Sequence, residues 1–194
     1  MNKGRSTLKE PIRDRRKITQ MLNWLRENSQ GRDRDAVMFQ FGLNTGLRIS
    51  DILKTQVKDV WKDGVLDYYR LKEKKTGKFK KVLLTDKLKG VLETYIVELE
   101  LEPDNFLIFG MKSFNKPLDR WNAWRVLTEA ARECHISDFG THTMRKTFGY
   151  WMYRETQDLN LVMQALNHDR KSMTLKYIGY SQEQIDEGYK KVQF

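Results

Sequence analysis

The chain has 194 residues, enough for one domain with a real core, and 39% hydrophobic content with five Trp, eight Tyr and nine Phe excludes a disordered tail. Its 36 Lys and Arg against 26 Asp and Glu leave +10 at neutral pH, so the expected partner is an anion. Nucleic acid ranks ahead of a membrane surface, because no long apolar run free of charge exists to span or lie in a bilayer. The lone cysteine, Cys134, excludes an internal disulfide and suits a reducing cytoplasm, where the chain is expected to act. Nothing apolar follows Met1-Asn2-Lys3-Gly4-Arg5, so no secretory signal is expected. The sequence has neither Cys/His clusters at metal-ligand spacing nor a Gly-rich phosphate loop. Any phosphate chemistry is therefore expected to run on side chains alone, with no cofactor or metal.

Residues 1–16 are polar and basic, with Arg13, Arg15 and Arg16 around Pro11, and read as an arm on the surface or on DNA, or as a solvated tail. Ile18, Met21, Leu22 and Leu25 recur at helical spacing. Asp35 to Leu43 is apolar nearly all round, which predicts a buried central helix ending at Asn44-Thr45-Gly46, where Gly46 takes a left-handed conformation. Ser50 is expected to cap the next helix, with Asp51 in its first turn.

The period then changes. Val57 to Trp61, Val65 to Leu71 and Phe79 to Leu84 are rich in β-branched and aromatic residues. With turns at Asp63-Gly64 and at Lys74-Lys75-Thr76-Gly77-Lys78, they predict a small three-stranded antiparallel sheet. Thr85-Asp86 starts a helix through Leu99, which Pro103 ends. Leu107-Ile108-Phe109 is a short apolar piece, and Pro117 is expected to open a helix through Trp121, Trp124 and Leu127 that ends near Cys134. Further helices are expected from His142 through Met152, near Leu159–Leu166, and from Ser172 through Tyr177. The fold class expected is α+β, a mostly helical domain over 17–180, with a C-terminal segment 181–194 carrying Ile185, Tyr189, Val192 and Phe194.

His142 and Arg145 are three residues apart on one predicted helix, so both can reach one ligand. That pair alone is a weak signal. Its company is Thr45-Gly46-Leu47-Arg48-Ile49-Ser50-Asp51 upstream, and His168 followed nine residues later by Tyr177. A phosphodiester transfer without metal builds charge on the non-bridging oxygens, and guanidinium forks suit those oxygens because they bind bidentately and stay charged. A phenol becomes a useful nucleophile beside cations that stabilise its phenolate. The leaving alkoxide needs a proton, which a lysine in a cationic cluster can give, and histidine can accept the phenol's proton.

These boxes, in this order and spacing, resemble the catalytic domain of the tyrosine recombinases of the phage integrase family, over roughly residues 15–190. The resemblance implies the fold of the DNA breaking-rejoining enzymes. It implies Arg48 and Arg145 as a clamp on the scissile phosphate, His142 as base or phosphate ligand, His168 as phosphate contact and Tyr177 as nucleophile. Tyr180, one helical turn on, is the rival to Tyr177. The family's hairpin lysine matches Lys75, with Lys74 and Lys78 as other claimants, and Asp51 either favours a helix N-terminus or orients an arginine. Further DNA contacts are expected from Lys74, Lys78, Thr141, Lys146, Arg170 and Lys171. The implied reaction passes through a 3′-phosphotyrosine link without metal or ATP. The implied assembly is four protomers on two double-stranded DNA sites, with a monomer when free and the C-terminal segment docking on a neighbour or folding back. Asn167 stands where the family usually has glycine, and Met144 where leucine is common. Only about fifteen residues precede the first helix, where family members carry an N-terminal domain on the opposite face of DNA. A DNA-binding regulator that cleaves nothing and a topoisomerase-like relaxing enzyme are the competing functions.

Overall fold

The computed structural model describes residues 9–28, 33–73, 75–178 and 182–192, with backbone alone for 176, 182–185 and 187. Lys74, Tyr180, Phe194 and the first half of the basic arm lie outside the described residues, as does the side chain of Ile185.

Helix α2 (Arg34–Thr45) is the axis of the molecule. Val37, Met38, Phe39 and Phe41 are all almost fully buried on it, and such side chains each contribute about 1.5–3 kcal/mol when fully removed from water. Around it pack α1 (Arg15–Asn28), α4 (Asp86–Glu98), α5 (Arg120–Glu133) and α6 (Thr143–Thr156). Gly46 closes α2 as expected, at φ +60°, with its N–H on the Gly42 carbonyl at 3.1 Å. A short helix α3 (Ile49–Ile52) follows, with Arg48 in extended geometry at its cap position. Ser50, expected as that cap, lies inside the helix because α3 starts one residue before it.

The expected α+β class holds, but the sheet is smaller than three strands. Strands β1 (Tyr68–Lys72) and β2 (Phe79–Leu83) form a hairpin in which Tyr69 faces Val82 and Leu71 faces Lys80. The expected first strand is a single 3-10 turn over Val57–Asp59, leaving only an isolated bridge between Trp61 and Val65. The cause is local and tertiary together. Gln56 and Asp59 cap one another's backbone, and the N–H groups of Val57 and Lys58 donate to the carbonyls of Asn105 and Pro103. A ladder at 57–61 would need donors already engaged there. A second hairpin, β3 (Phe109–Gly110) with β4 (Ser113–Pro117), takes the apolar piece, and Pro117 ends a strand where a helix start was expected. Asp119 caps α5 instead, accepting from the N–H groups of Trp121 and Asn122 at 3.0 Å.

The C-terminal part packs on a smaller apolar cluster. Val162 and Leu166 of the α7 (Leu159–Ala165) region and Ile178 of α8 (Lys171–Ile178) meet Phe148 and Met152 of α6. This cluster fixes α8 against α6, and with it the relation of Tyr177 to His142. Helix α9 (Gln182–Lys191) follows, with Tyr189 and, just past its end, Val192 exposed. Residues 9–14 are no solvated tail. Ile12 is buried, its N–H donates to Thr147 Oγ1 at 2.9 Å, and Trp151 Nε1 donates to its carbonyl at 3.0 Å.

Candidate active site

The two arginines expected to share a phosphate are far apart in the chain and converge on one carboxylate. Arg48 leaves the turn that Gly46 makes possible. A Cβ at Gly46 would sit 2.3 Å from the Phe148 ring, so both the positive φ and the close approach of α6 require glycine there. Arg145, in the first turn of α6, donates through one terminal nitrogen to the Gly46 carbonyl at 2.8 Å and through the other to the Leu166 carbonyl. The guanidinium is thus bolted between the turn carrying Arg48 and the end of α7. Burial and then the Arg48 charge pull the Arg145 pKa down, opposed by Tyr177 and Glu73.

One carboxylate oxygen bridges the pair. Glu73 Oε1 lies 2.8 Å from an Arg48 terminal nitrogen and 3.7 Å from one of Arg145. The sequence reading missed this acid; Asp51, which it read either as a helix N-terminal acid or as an arginine-orienting carboxylate, is buried on α3. Glu73 falls just past β1, in the charged run Lys72-Glu73-Lys74-Lys75, and only the fold removes it from water.

His168 follows Asn167, whose left-handed φ of 50° supplies the turn that glycine usually makes in the family. The His168 ring is buried, with Nδ1 at 3.0 Å from Thr174 Oγ1, and burial, followed by the Arg145 and Arg48 charges, lowers its pKa to about 4. The Tyr177 ring packs edge-on against it, centroids 4.7 Å apart. The Tyr177 hydroxyl lies 3.2 Å from His142 Nδ1. His142 is exposed overall, yet loss of water around its ring, then the charges of Arg145, Lys75, Arg120 and Arg48, lower its pKa. Both imidazoles are therefore neutral near pH 7. In the tautomer that leaves Nδ1 unprotonated, the His142 ring can accept a hydrogen bond from the Tyr177 hydroxyl. Arg120, at the start of α5, is a cation near the site that sequence reasoning left unassigned.

The lysines divide. Lys75 is exposed at the tip of the β1–β2 hairpin, close enough for its charge to act on His142. Lys78, also at that tip, is paired with Asp169 beside His168. Lys80 points inward from β2 and donates to the Thr45 carbonyl at 3.3 Å. Its pKa falls to about 8, through burial first and the Arg145 charge second. Strand alternation puts Lys80, Val82 and Leu84 on one face, a signal that could have singled it out. Of the expected DNA contacts, Arg170 and Lys171 are exposed beside His168, and Thr141 is half-buried before His142. Lys146 is no surface cation: it is 7% exposed and its ammonium donates to the Lys9 carbonyl, 5.7 Å from the Tyr177 ring centroid. Among the described residues no group of three or more His, Cys, Asp or Glu side chains could hold a metal ion.

Comparison with known proteins shows the family. Residues 14–184 match the model of the phage integrase family. The probable integrase/recombinase YoeC of Bacillus subtilis strain 168 is 38% identical over 181 residues, 93% of this chain and 95% of that protein. Tyrosine recombinase XerD of Staphylococcus saprophyticus is 28% identical over 162 residues, 80% of this chain and 53% of that protein. Among solved structures, XerA recombinase superposes with a TM-score of 0.74 at 16% identity, over 95% of this chain and 66% of that one. XerH bound to a palindromic difH substrate, in its post-cleavage complex, gives 0.72 at 20% identity, over 94% of this chain and 53% of that one. The chain thus spans nearly all of the Bacillus relative but about half the length of XerD and XerH. It belongs to the phage integrase family, the tyrosine recombinases.

Proposed function

We propose that this chain cleaves and rejoins double-stranded DNA at specific sites through a 3′-phosphotyrosine intermediate, as an integrase or an inversion/excision recombinase. The observation that carries the reading is the convergence of Arg48 and Arg145 on one carboxylate oxygen, in the same cluster as the Tyr177–His142 pair. A phosphodiester needs the same two forks. The relatives support the substrate: XerH is described bound to difH in pre- and post-cleavage complexes, and lambda integrase as a dimer bound to a core site.

The Tyr177 oxygen attacks the scissile phosphorus while its proton passes to His142 Nδ1. Arg48 and Arg145 neutralise the charge that grows on the non-bridging oxygens, and removal of one such donor costs on the order of 10²–10³ in rate. The bond to the 5′ oxygen breaks, and that oxygen takes a proton from Lys75. A 5′-hydroxyl from a partner strand then attacks the phosphotyrosine and reverses the step, so the bond energy is kept and neither metal nor ATP enters. Lys78, Arg170, Lys171 and Thr141 ring the pocket for backbone contacts; Lys146 does not join them. Free protomers are monomers that assemble as four on paired sites, and exposed Tyr189 and Val192 give the C-terminal segment an apolar face for a neighbour.

The test is a nicked suicide substrate, which lets the covalent complex form but not reverse. A protein–DNA adduct that survives SDS, forms in EDTA and is lost in Tyr177→Phe supports the reading. Absence of any adduct on DNA that the chain binds favours a regulator.

A further inference from the structure

Glu73 is an anion held where an anion should arrive. Its side chain is fully buried, at 0% exposure, and its Oε1 sits between terminal nitrogens of Arg48 and Arg145. Its other oxygen accepts from Thr76 Oγ1 at 2.7 Å. Its backbone N–H donates to the Lys78 carbonyl, and its carbonyl accepts from the Gly77 N–H, both at 2.9 Å, so the acid is part of the hairpin tip that carries Lys75. Burial pushes the Glu73 pKa up, but the ion pair with Arg48, the hydrogen bond from Thr76 and the Arg145 charge outweigh it and hold the group ionised. A carboxylate this buried persists only where cations compensate it. Conversely, two guanidinium groups this close, with Arg145 itself 1% exposed, repel unless an anion lies between them.

On the reading of Arg48 and Arg145 as the phosphate clamp, we propose that Glu73 is a positioning residue that occupies the clamp's anion seat in the DNA-free protein. It keeps the two guanidinium groups converged, then yields the seat to the scissile phosphate. A carboxylate and a phosphodiester oxygen cannot share the seat, since like charges at contact distance in a buried site exclude one another. DNA therefore displaces a built-in competitor from arginines that are already in place.

Sulfate is the probe, being a tetrahedral anion that needs no DNA. Thermal unfolding of the full chain is followed in sodium sulfate and in sodium chloride at matched ionic strength, for wild type, Glu73→Gln and Glu73→Asp. In chloride Glu73→Gln unfolds at lower temperature, because the clamp has lost its anion. Sulfate then raises its midpoint by more than it raises that of wild type, corresponding to about tenfold tighter sulfate binding. Equal sulfate responses in wild type and Glu73→Gln overturn the proposal. Should Glu73→Gln not fold, Glu73→Asp keeps the charge but is one methylene short of both arginines, and it must show the same excess response. A side chain that only filled the core would leave a defect that sulfate does not repair. Covalent capture of nicked DNA by wild type is scored in parallel. An adduct with equal sulfate responses sinks the role of Glu73 alone; an excess response without an adduct upholds the anion seat and sinks the cleavage reading.

Discussion

The hydroxyl of Tyr177 lies 3.2 Å from Nδ1 of His142, which puts an imidazole nitrogen within hydrogen-bond reach of the proposed nucleophile. Burial and four neighbouring cations keep the His142 pKa below its ordinary value, so the acceptor is present at neutral pH and disappears only on acidification. Single-turnover cleavage by wild type should hold steady from pH 8 to about 6.5 and fall below it. In His142→Asn the rate at pH 7.5 should drop on the order of 10²–10⁴ and the acid limb should vanish. An unchanged limb in that variant would remove His142 as the base.

His168 gives a stability prediction of defined sign. Its folded pKa of about 4 lies below the unfolded value of about 6.5, so between these pH values the unfolded chain binds the extra proton. Stability therefore rises with pH across that window and is lost as pH falls from 6.5 toward 4. Urea denaturation at pH 7 and pH 5 should show wild type losing about 2 kcal/mol more over this step than His168→Asn. Parallel losses in the two proteins would contradict a buried neutral imidazole.

Gly46 is where one backbone atom serves fold and site together. Alanine there must adopt φ +60° and place its Cβ 2.3 Å from the Phe148 ring. Chemical denaturation of Gly46→Ala should show a loss of about 2 kcal/mol or more. Cleavage should fall further than stability explains, since the Gly46 carbonyl holds Arg145 and the same turn carries Arg48. A variant within about 0.5 kcal/mol of wild type would show that the turn tolerates a side chain.

Two lysines compete for the proton donor, and the leaving group separates them. A bridging 5′-phosphorothiolate departs without needing a proton. On that substrate Lys75→Ala should recover to near the wild-type rate, while Lys80→Ala should stay slow, because Lys80 braces the Thr45 carbonyl ahead of Arg48. Rescue of Lys80→Ala alone would transfer the role to the inward lysine, whose pKa of about 8 suits an acid near neutral pH.

The parts of this molecule legible in the sequence are those set by local chemistry. Gly46 reads as a left-handed helix end because its neighbours are a buried helix and a new cap, and the structure has it so. His142 and Arg145 read as a pair from spacing alone, although α6 starts at Thr143 and His142, expected inside the helix, stands at its cap position. Val57 to Trp61 reads as strand because valine and tryptophan favour one, yet the loop at Pro103 and Asn105 claims its donors, and no local pattern announces a partner so far along the chain. A proline taken alone misleads in the same way at Pro117, which ends β4 because Phe109 pairs with it. Glu73 is the clearest case of what spacing cannot show. Among lysines it looks like a solvated loop acid, and its burial is decided by Arg48 and Arg145, both remote in the chain.

The covalent bond itself is the most direct test. Trypsin cutting after Lys176 releases the nucleotide-bearing segment from a suicide-substrate adduct, and fragmentation mass spectrometry assigns the modified tyrosine within it. The deoxynucleotide phosphate should be found on Tyr177, with Arg48→Ala and Arg145→Ala each forming little adduct. Its attachment to Tyr180 or Tyr189, or undiminished adduct in both arginine variants, would contradict the proposed function.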